Sequence, residues 1–185
     1  MKLFFIMKGK ILISSPSLLT DMIFYKSIIL IVDHTNDGIT GFILNRASDL
    51  FLQKKIDSSE EIKFDIFYGG PVSSEYFYLL KSKREYSEIL NIYDNLYWGN
   101  NLEFLFNLVQ KGIVKMDDFF LFQGYSGWSI QQLDNEIASN NWILTDKKGK
   151  EVFSYKEKNS WNNLIKEFGY RYRLWSNSPD DITLN

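Results

Sequence analysis

A chain of 185 residues has the length of one compact domain, and a fold of that size buries about 70% of the surface its unfolded chain exposes. Its 45% hydrophobic content, with 15 Phe, 11 Tyr and 5 Trp, supplies a large aromatic core and excludes general disorder. A formal net charge of -2 gives no global field to attract nucleic acid, and the lack of cysteine excludes disulfides, thiolate nucleophiles, zinc fingers and iron–sulfur ligation.

The first residues, Leu3-Phe4-Phe5-Ile6-Met7 between two lysines, are shorter than a signal h-region and lack a small-residue cleavage site. No later stretch approaches the roughly 20 apolar residues of a membrane helix, so a cytoplasmic location is expected. Lys10 to Ser14 predicts a strand that stops at Ser15-Pro16, because proline cannot donate to a ladder. Ser27 to Asp33 is continuously apolar and β-branched, the pattern of a central strand covered on both faces. His34 to Gly38 then forms a turn into a second strand, Ile39 to Leu44. Gly41 interrupts that strand, which implies a close approach by another backbone or a large aromatic ring.

Asp49 to Glu61 is polar and predicts a short helix and a loop. Strands follow at Phe64 to Tyr68, ending at Gly69-Gly70-Pro71, at Tyr76 to Lys81 and at Ile92 to Trp98. Leu102, Leu105, Phe106 and Val109 fall on one helical stripe, with Gly112 as its stop. Phe119 to Gln123 predicts a short buried strand, and a helix opens at Ser129, where Ser129 and Gln132 can form a capping box. A last helix from Ser160 to Phe168 buries Trp161, Leu164, Ile165 and Phe168 and ends at Gly169, leaving a loosely held tail from Ser176. Without a repeat or linker, these elements predict a single domain over residues 1–185.

Three groups of motifs carry a family resemblance. They are Gly9 to Pro16 with Phe24, Ser27, Asp33-His34 and Gly38 to Arg46; then Tyr68-Gly69-Gly70-Pro71-Val72; then Gly124 to Trp128 with Gln132 to Ile137 and Trp142. In order and spacing the chain resembles the AlgH/YqgE proteins of bacteria over roughly residues 9–169. Ala47 departs from the pattern, since the family usually has proline after its Asn-Arg pair. The resemblance implies an α+β fold in which a bent mixed β-sheet with a barrel-like part is surrounded by helices. It also implies a regulatory role, the family taking its name from a proposed transcriptional regulator of exopolysaccharide production.

The chemistry offered by the residues is sparse. His34 is the only histidine, and its neighbour Asp33 points to the opposite face of a strand, which argues against a direct Asp–His couple. Ser126, in Gly124-Tyr125-Ser126-Gly127 between a strand and a helix, resembles a nucleophile elbow only in outline, because the second glycine follows the serine directly. Gly69-Gly70-Pro71 lacks the lysine and Ser/Thr of a P-loop and is better explained as a tight turn. Arg46, at a strand end, is expected to pair with a carboxylate or to line a ligand site. Tyr170-Arg171-Tyr172-Arg173 mixes bases and aromatics, as single-strand binders do, but four residues predict an ordinary packed surface segment.

The expected function is therefore a non-enzymatic regulatory or interaction protein with a protein or small-molecule partner, with no cofactor or metal called for. The alternative is a ligand binder or hydrolase-like enzyme whose pocket gathers Ser15, His34, Asn45, Arg46, Gly69 and Gly70, all at expected strand ends.

Overall fold

The computed structural model describes residues 7–57, 60–145, 149–157 and 159–177. Its strands are β1 (Ile11–Ser14), β2 (Ile28–Thr35), β3 (Gly38–Ile43), β4 (Ala47–Asp57), β5 (Glu60–Tyr68), β6 (Val72–Lys81), β7 (Leu90–Tyr93), β8 (Leu96–Gly99), β9 (Phe119–Trp128) and β10 (Trp142–Thr145). The α-helices are α1 (Leu102–Gln110), α2 (Ile130–Ala138), α3 (Ser160–Ile165) and α4 (Tyr170–Trp175). The apolar residues Leu3 to Ile6 and the tail from Ser178 lie outside the described residues.

The strands form one mixed sheet in the order β10-β1-β2-β3-β9-β6-β8-β7, and β5 runs parallel to β9 while pairing with β4 on its other side. The sheet curls but does not close, since β10 and β7 remain separate edges. Strand β9 joins its two halves. Residues 121–123 lie between β5 and β6, whereas residues 126–128 pair with β3. Gly124 marks the change of partners with φ 69, a left-handed conformation that glycine adopts without a Cβ clash.

Alternation along β2 covers both faces of the sheet. Ile28, Leu30 and Val32 join Phe42, Phe122, Trp161 and Ile165 in one core, while Ile29 and Ile31 join Trp128, Leu133 and Trp142 in another. The first core is held by α3 and contains Phe42 stacked on Phe122 at 4.8 Å, and the second is covered by α2. A third core packs Phe64, Leu80 and Leu121 under Leu105 and Phe106 of α1. Both-face burial explains why β2 reads as an unbroken apolar run.

Three expectations change. Within the segment Asp49 to Glu61, residues 49–57 lie on β4 and residues 60–61 on β5, an antiparallel pair, rather than on a helix and loop; residues 58 and 59 lie outside the described residues. Only one face of the pair is buried. Ile62, Phe64 and Ile66 alternate inward with Lys63 and Asp65 between them. A bulge between Ala47 and Phe51 leaves Leu50 and Phe51 both exposed and breaks the period-2 signal on β4. Ile92 to Trp98 is two strands, β7 and β8, turning at Asp94 with φ 43. Phe119 to Gln123 continues through Trp128, so no helix follows Ser126 directly.

The helix ends follow the sequence more closely. Asn101 Oδ1 accepts the Phe104 amide at 3.1 Å at the start of α1, and Gly112 follows its end with φ 65. Ser129 Oγ accepts the Gln132 amide at 3.2 Å, but Gln132 Nε2 donates to Glu136 Oε1 at 2.9 Å instead of completing the capping box. Glu136 is drawn to that position because its Oε2 also accepts the indole N–H groups of Trp128 and Trp142, at 3.0 and 2.7 Å.

At Gly41, a Cβ would come within 2.7 Å of Ile29 Cγ2 and 3.0 Å of the Leu30 carbonyl oxygen, so the close neighbour is the paired strand β2 rather than an aromatic ring. Gly41→Val is expected to destabilise the chain by more than about 1 kcal/mol through overpacking. An unchanged urea denaturation midpoint would reject this explanation.

Candidate functional site

The connection from β3 to β4 places Asn45 and Arg46 at the end of the sheet where β2 begins. Asn45 bridges two backbone groups: its Oδ1 accepts the Ile28 amide at 2.9 Å and its Nδ2 donates to the Lys26 carbonyl at 2.8 Å. It therefore ties the entry of β2 to the exit of β3. Arg46 follows and donates one amino group to the Ile23 carbonyl and the other to the Tyr25 carbonyl, the latter at 3.0 Å. Its guanidinium also lies 5.9 Å from the Tyr68 ring centre. Among the described residues, the expected carboxylate partner is not in contact with it. Burial lowers the guanidinium pKa from its ordinary value, against the opposing influences of Tyr68 and then Asp21.

Beside Arg46 lies a recess of about 430 Å³, lined also by Lys26, Lys156, Glu157, Asn159 and Ser160. Lys26 is buried, with φ 46, and its ammonium is 5.5 Å from the Tyr25 ring and 5.6 Å from the Trp161 ring. Asn159, before α3, is left-handed with φ 69. Two non-glycine residues in this conformation on one recess mark a place where tertiary structure imposes the backbone. Lys156 stands at the rim, 3.8 Å from Asp117. Asn162 also lines the recess, and its buried side-chain oxygen has no hydrogen-bond partner among the described residues.

The six residues expected to share a pocket do not converge. Asn45 and Arg46 line the recess just described. Ser15 lines a separate one of about 320 Å³ with Asn140, Arg171, Tyr172 and Trp175. There its hydroxyl donates to the Asn140 carbonyl, and its Oγ accepts the Ser17 amide at 3.3 Å, the work of a turn cap. His34 lies six residues beyond Ile28 on β2, roughly 20 Å away at about 3.3 Å per strand residue. Its Nδ1 accepts the Met7 amide at 3.2 Å, while Asp33 Oδ1 accepts the His34 backbone amide at 3.0 Å.

Gly69 and Gly70 pack against β9. The Gly69 amide donates to Gln123 at 2.9 Å, and its carbonyl accepts Ile43 N–H at 3.0 Å and Ser126 Oγ–H at 3.2 Å. Ser126 is fully buried in that contact. The glycine motifs thus allow close packing of a turn on a strand. Tyr170 to Arg173 opens α4, with Tyr170 exposed and Tyr172 packed on the first core.

Tyr25, Lys26, Lys156, Glu157, Asn159 and Asn162 are recess residues missed in the sequence. No local spacing links position 26 to 46 or to 156–162; only the fold brings them together. Trp161 was legible as a core residue, but not as the side chain beneath Lys26.

Comparison with known proteins places this architecture. A family model described as AlgH-like matches residues 11–173. A UPF0301 protein of Cytophaga hutchinsonii is 36% identical over 180 residues, covering 96% of this chain and 98% of that protein. A UPF0301 protein of Chlorobium luteolum is 32% identical over 178 residues, covering 96% and 94%. Among solved structures, the AlgH protein from Pseudomonas aeruginosa has the same fold with a TM-score of 0.69 at 22% identity, over 95% of this chain and 96% of that one. A protein of Corynebacterium diphtheriae has a TM-score of 0.68 at 18% identity, over 92% and 91%. The fold matches the bent α+β architecture that the family resemblance implied, and the chain belongs to the AlgH-like family.

Proposed function

We propose that this protein acts by binding rather than by catalysis, as a regulatory protein that meets its ligand in the recess at Arg46. The observation that carries this reading is how the candidate catalytic groups are used. Ser126 is buried and donates to the Gly69 carbonyl, while His34 accepts the Met7 amide at the far end of β2. A serine nucleophile needs a base within about 2.6 to 3.2 Å, and the histidine is held in another contact. By contrast, a recess of about 430 Å³ falls within the size range of small-molecule sites.

Regulation of transcription, the role for which the family is named, fits an indirect route through a small molecule or protein partner in the cytoplasm. A chain of net charge -2 offers little to the phosphate backbone of DNA. No helix among the described residues is long and apolar enough to cross a membrane.

A fluorophosphonate probe is expected to leave Ser126 unlabelled in the folded protein. Ser126→Ala should cost about 0.5 to 1.5 kcal/mol, the worth of one buried hydrogen bond. This exceeds what an exposed turn serine would cost, because the residue is enclosed and bonded. Stoichiometric labelling of the wild type that disappears in Ser126→Ala would make the protein a hydrolase and overturn the binding reading.

A further inference from the structure

We infer that the Arg46 recess binds an oxyanion, the carboxylate or phosphate of a small molecule, with Arg46 as its main contact. This rests on the reading of the recess as a binding site and names the class of ligand. The starting point is the charge on Arg46. Its guanidinium stays protonated at any physiological pH, it has lost part of its water, and its polar contacts are two neutral carbonyls and a ring. A partly desolvated cation without a carboxylate in contact is costly, and an entering anion offsets that cost. Burial lowers the Arg46 pKa with Tyr68 and Asp21 only opposing it, which agrees with this geometry.

The contacts that Arg46 already makes also prepare it. Arginine has five N–H donors in a planar fork, and the carbonyls of Ile23 and Tyr25 use one on each amino group. They fix the plane of the fork and leave further donors for a ligand that accepts two parallel hydrogen bonds, as carboxylates and phosphates do. The surrounding charge has the same sign. Among the described residues the lining contains Lys26, Arg46 and Lys156 and one carboxylate, Glu157, with Asp117 3.8 Å from Lys156 at the rim, on a chain that is net acidic. Asn162 adds a buried side-chain oxygen without a partner among the described residues, an acceptor that a hydroxyl of the small molecule would satisfy and its oxyanion would not. Asn45 does not serve the anion directly. Each end of its amide already holds a backbone group of the β2 entry, and it positions Lys26 and Arg46.

The test titrates inorganic phosphate and citrate separately into the full chain and follows backbone amide shifts. Saturable shifts centred on residues 26, 46 and 159–162, with a Kd of about 1 mM or tighter, are expected for at least one of the two anions. The stronger responder distinguishes a phosphate ligand from a carboxylate. Arg46→Lys keeps the charge but loses the fork and should weaken binding about tenfold. Because Arg46 also holds the 23–25 segment, Asn159→Asp provides a variant with little risk to folding: Asp tolerates the left-handed backbone, and the added negative charge should weaken anion binding about fivefold.

Anion shifts elsewhere on the surface, or an affinity unchanged in Asn159→Asp, would overturn the inference. If uncharged glucose moves these amides while neither anion does, the oxyanion assignment falls and the binding site stands. If none of the three moves them, both fall.

Discussion

Gly69→Ala is expected to destabilise the protein by at least about 3 kcal/mol, at the upper end of overpacking costs and a large share of the roughly 5 to 15 kcal/mol that holds a domain folded. An alanine Cβ there would lie 2.2 Å from the Gly124 carbonyl oxygen and 3.1 Å from Phe122 Cβ. Neither backbone is free to move apart. The Gly69 amide donates to Gln123 and its carbonyl accepts from Ile43 and Ser126, so the turn is held on both sides. The approach is reciprocal, since a Cβ on Gly124 would lie 2.5 Å from the Gly70 carbonyl oxygen. Gly127→Ala is the control, because its nearest neighbour is the Tyr125 ring edge at 3.2 Å, a side chain that can give way. Guanidinium denaturation should separate the two variants by about 2 kcal/mol or more. Equal midpoints would show that contact between the two glycine motifs is not what requires glycine.

These two motifs show what the sequence made legible and what it did not. Gly69-Gly70-Pro71 read as a tight turn from its lack of P-loop residues, and Gly124-Tyr125-Ser126-Gly127 as the outline of a nucleophile elbow. That the two approach each other was not legible, because contact between positions 55 residues apart is a property of strand order. The same limit explains the candidate site. Strand ends were identified correctly at Ser15, His34 and Arg46, but one antiparallel strand has two ends, and β2 carries His34 to the end opposite Arg46. Local signals succeeded where one element contains both partners, as with Ser129 capping α2. They failed on β4, where a bulge disrupts the alternation and the pairing with β5, rather than propensity, makes the strand.

Trp161→Ala should cost about 3 to 5 kcal/mol, the range for deleting a large buried aromatic side chain. Trp161 is 2% exposed and anchors α3, a helix of only six residues that packing rather than intrinsic propensity must hold. Its indole N–H donates to the Ser14 carbonyl at 2.9 Å, linking α3 to the end of β1, and its ring lies beneath the Lys26 ammonium. Alanine removes the ring and the bond together, so the comparison with Trp161→Phe separates them. Phenylalanine keeps an aromatic ring in the core and loses the N–H donor, and should cost about 1 to 3 kcal/mol as the Ser14 carbonyl loses a buried partner. Amide hydrogen exchange across residues 160–165 should then rise strongly in the alanine variant and moderately in the phenylalanine variant, because local opening follows the loss of packing. Equal destabilisation by both substitutions would instead place the whole contribution in the hydrogen bond, and unchanged exchange in the alanine variant would mean that Leu164 and Ile165 hold α3 without Trp161.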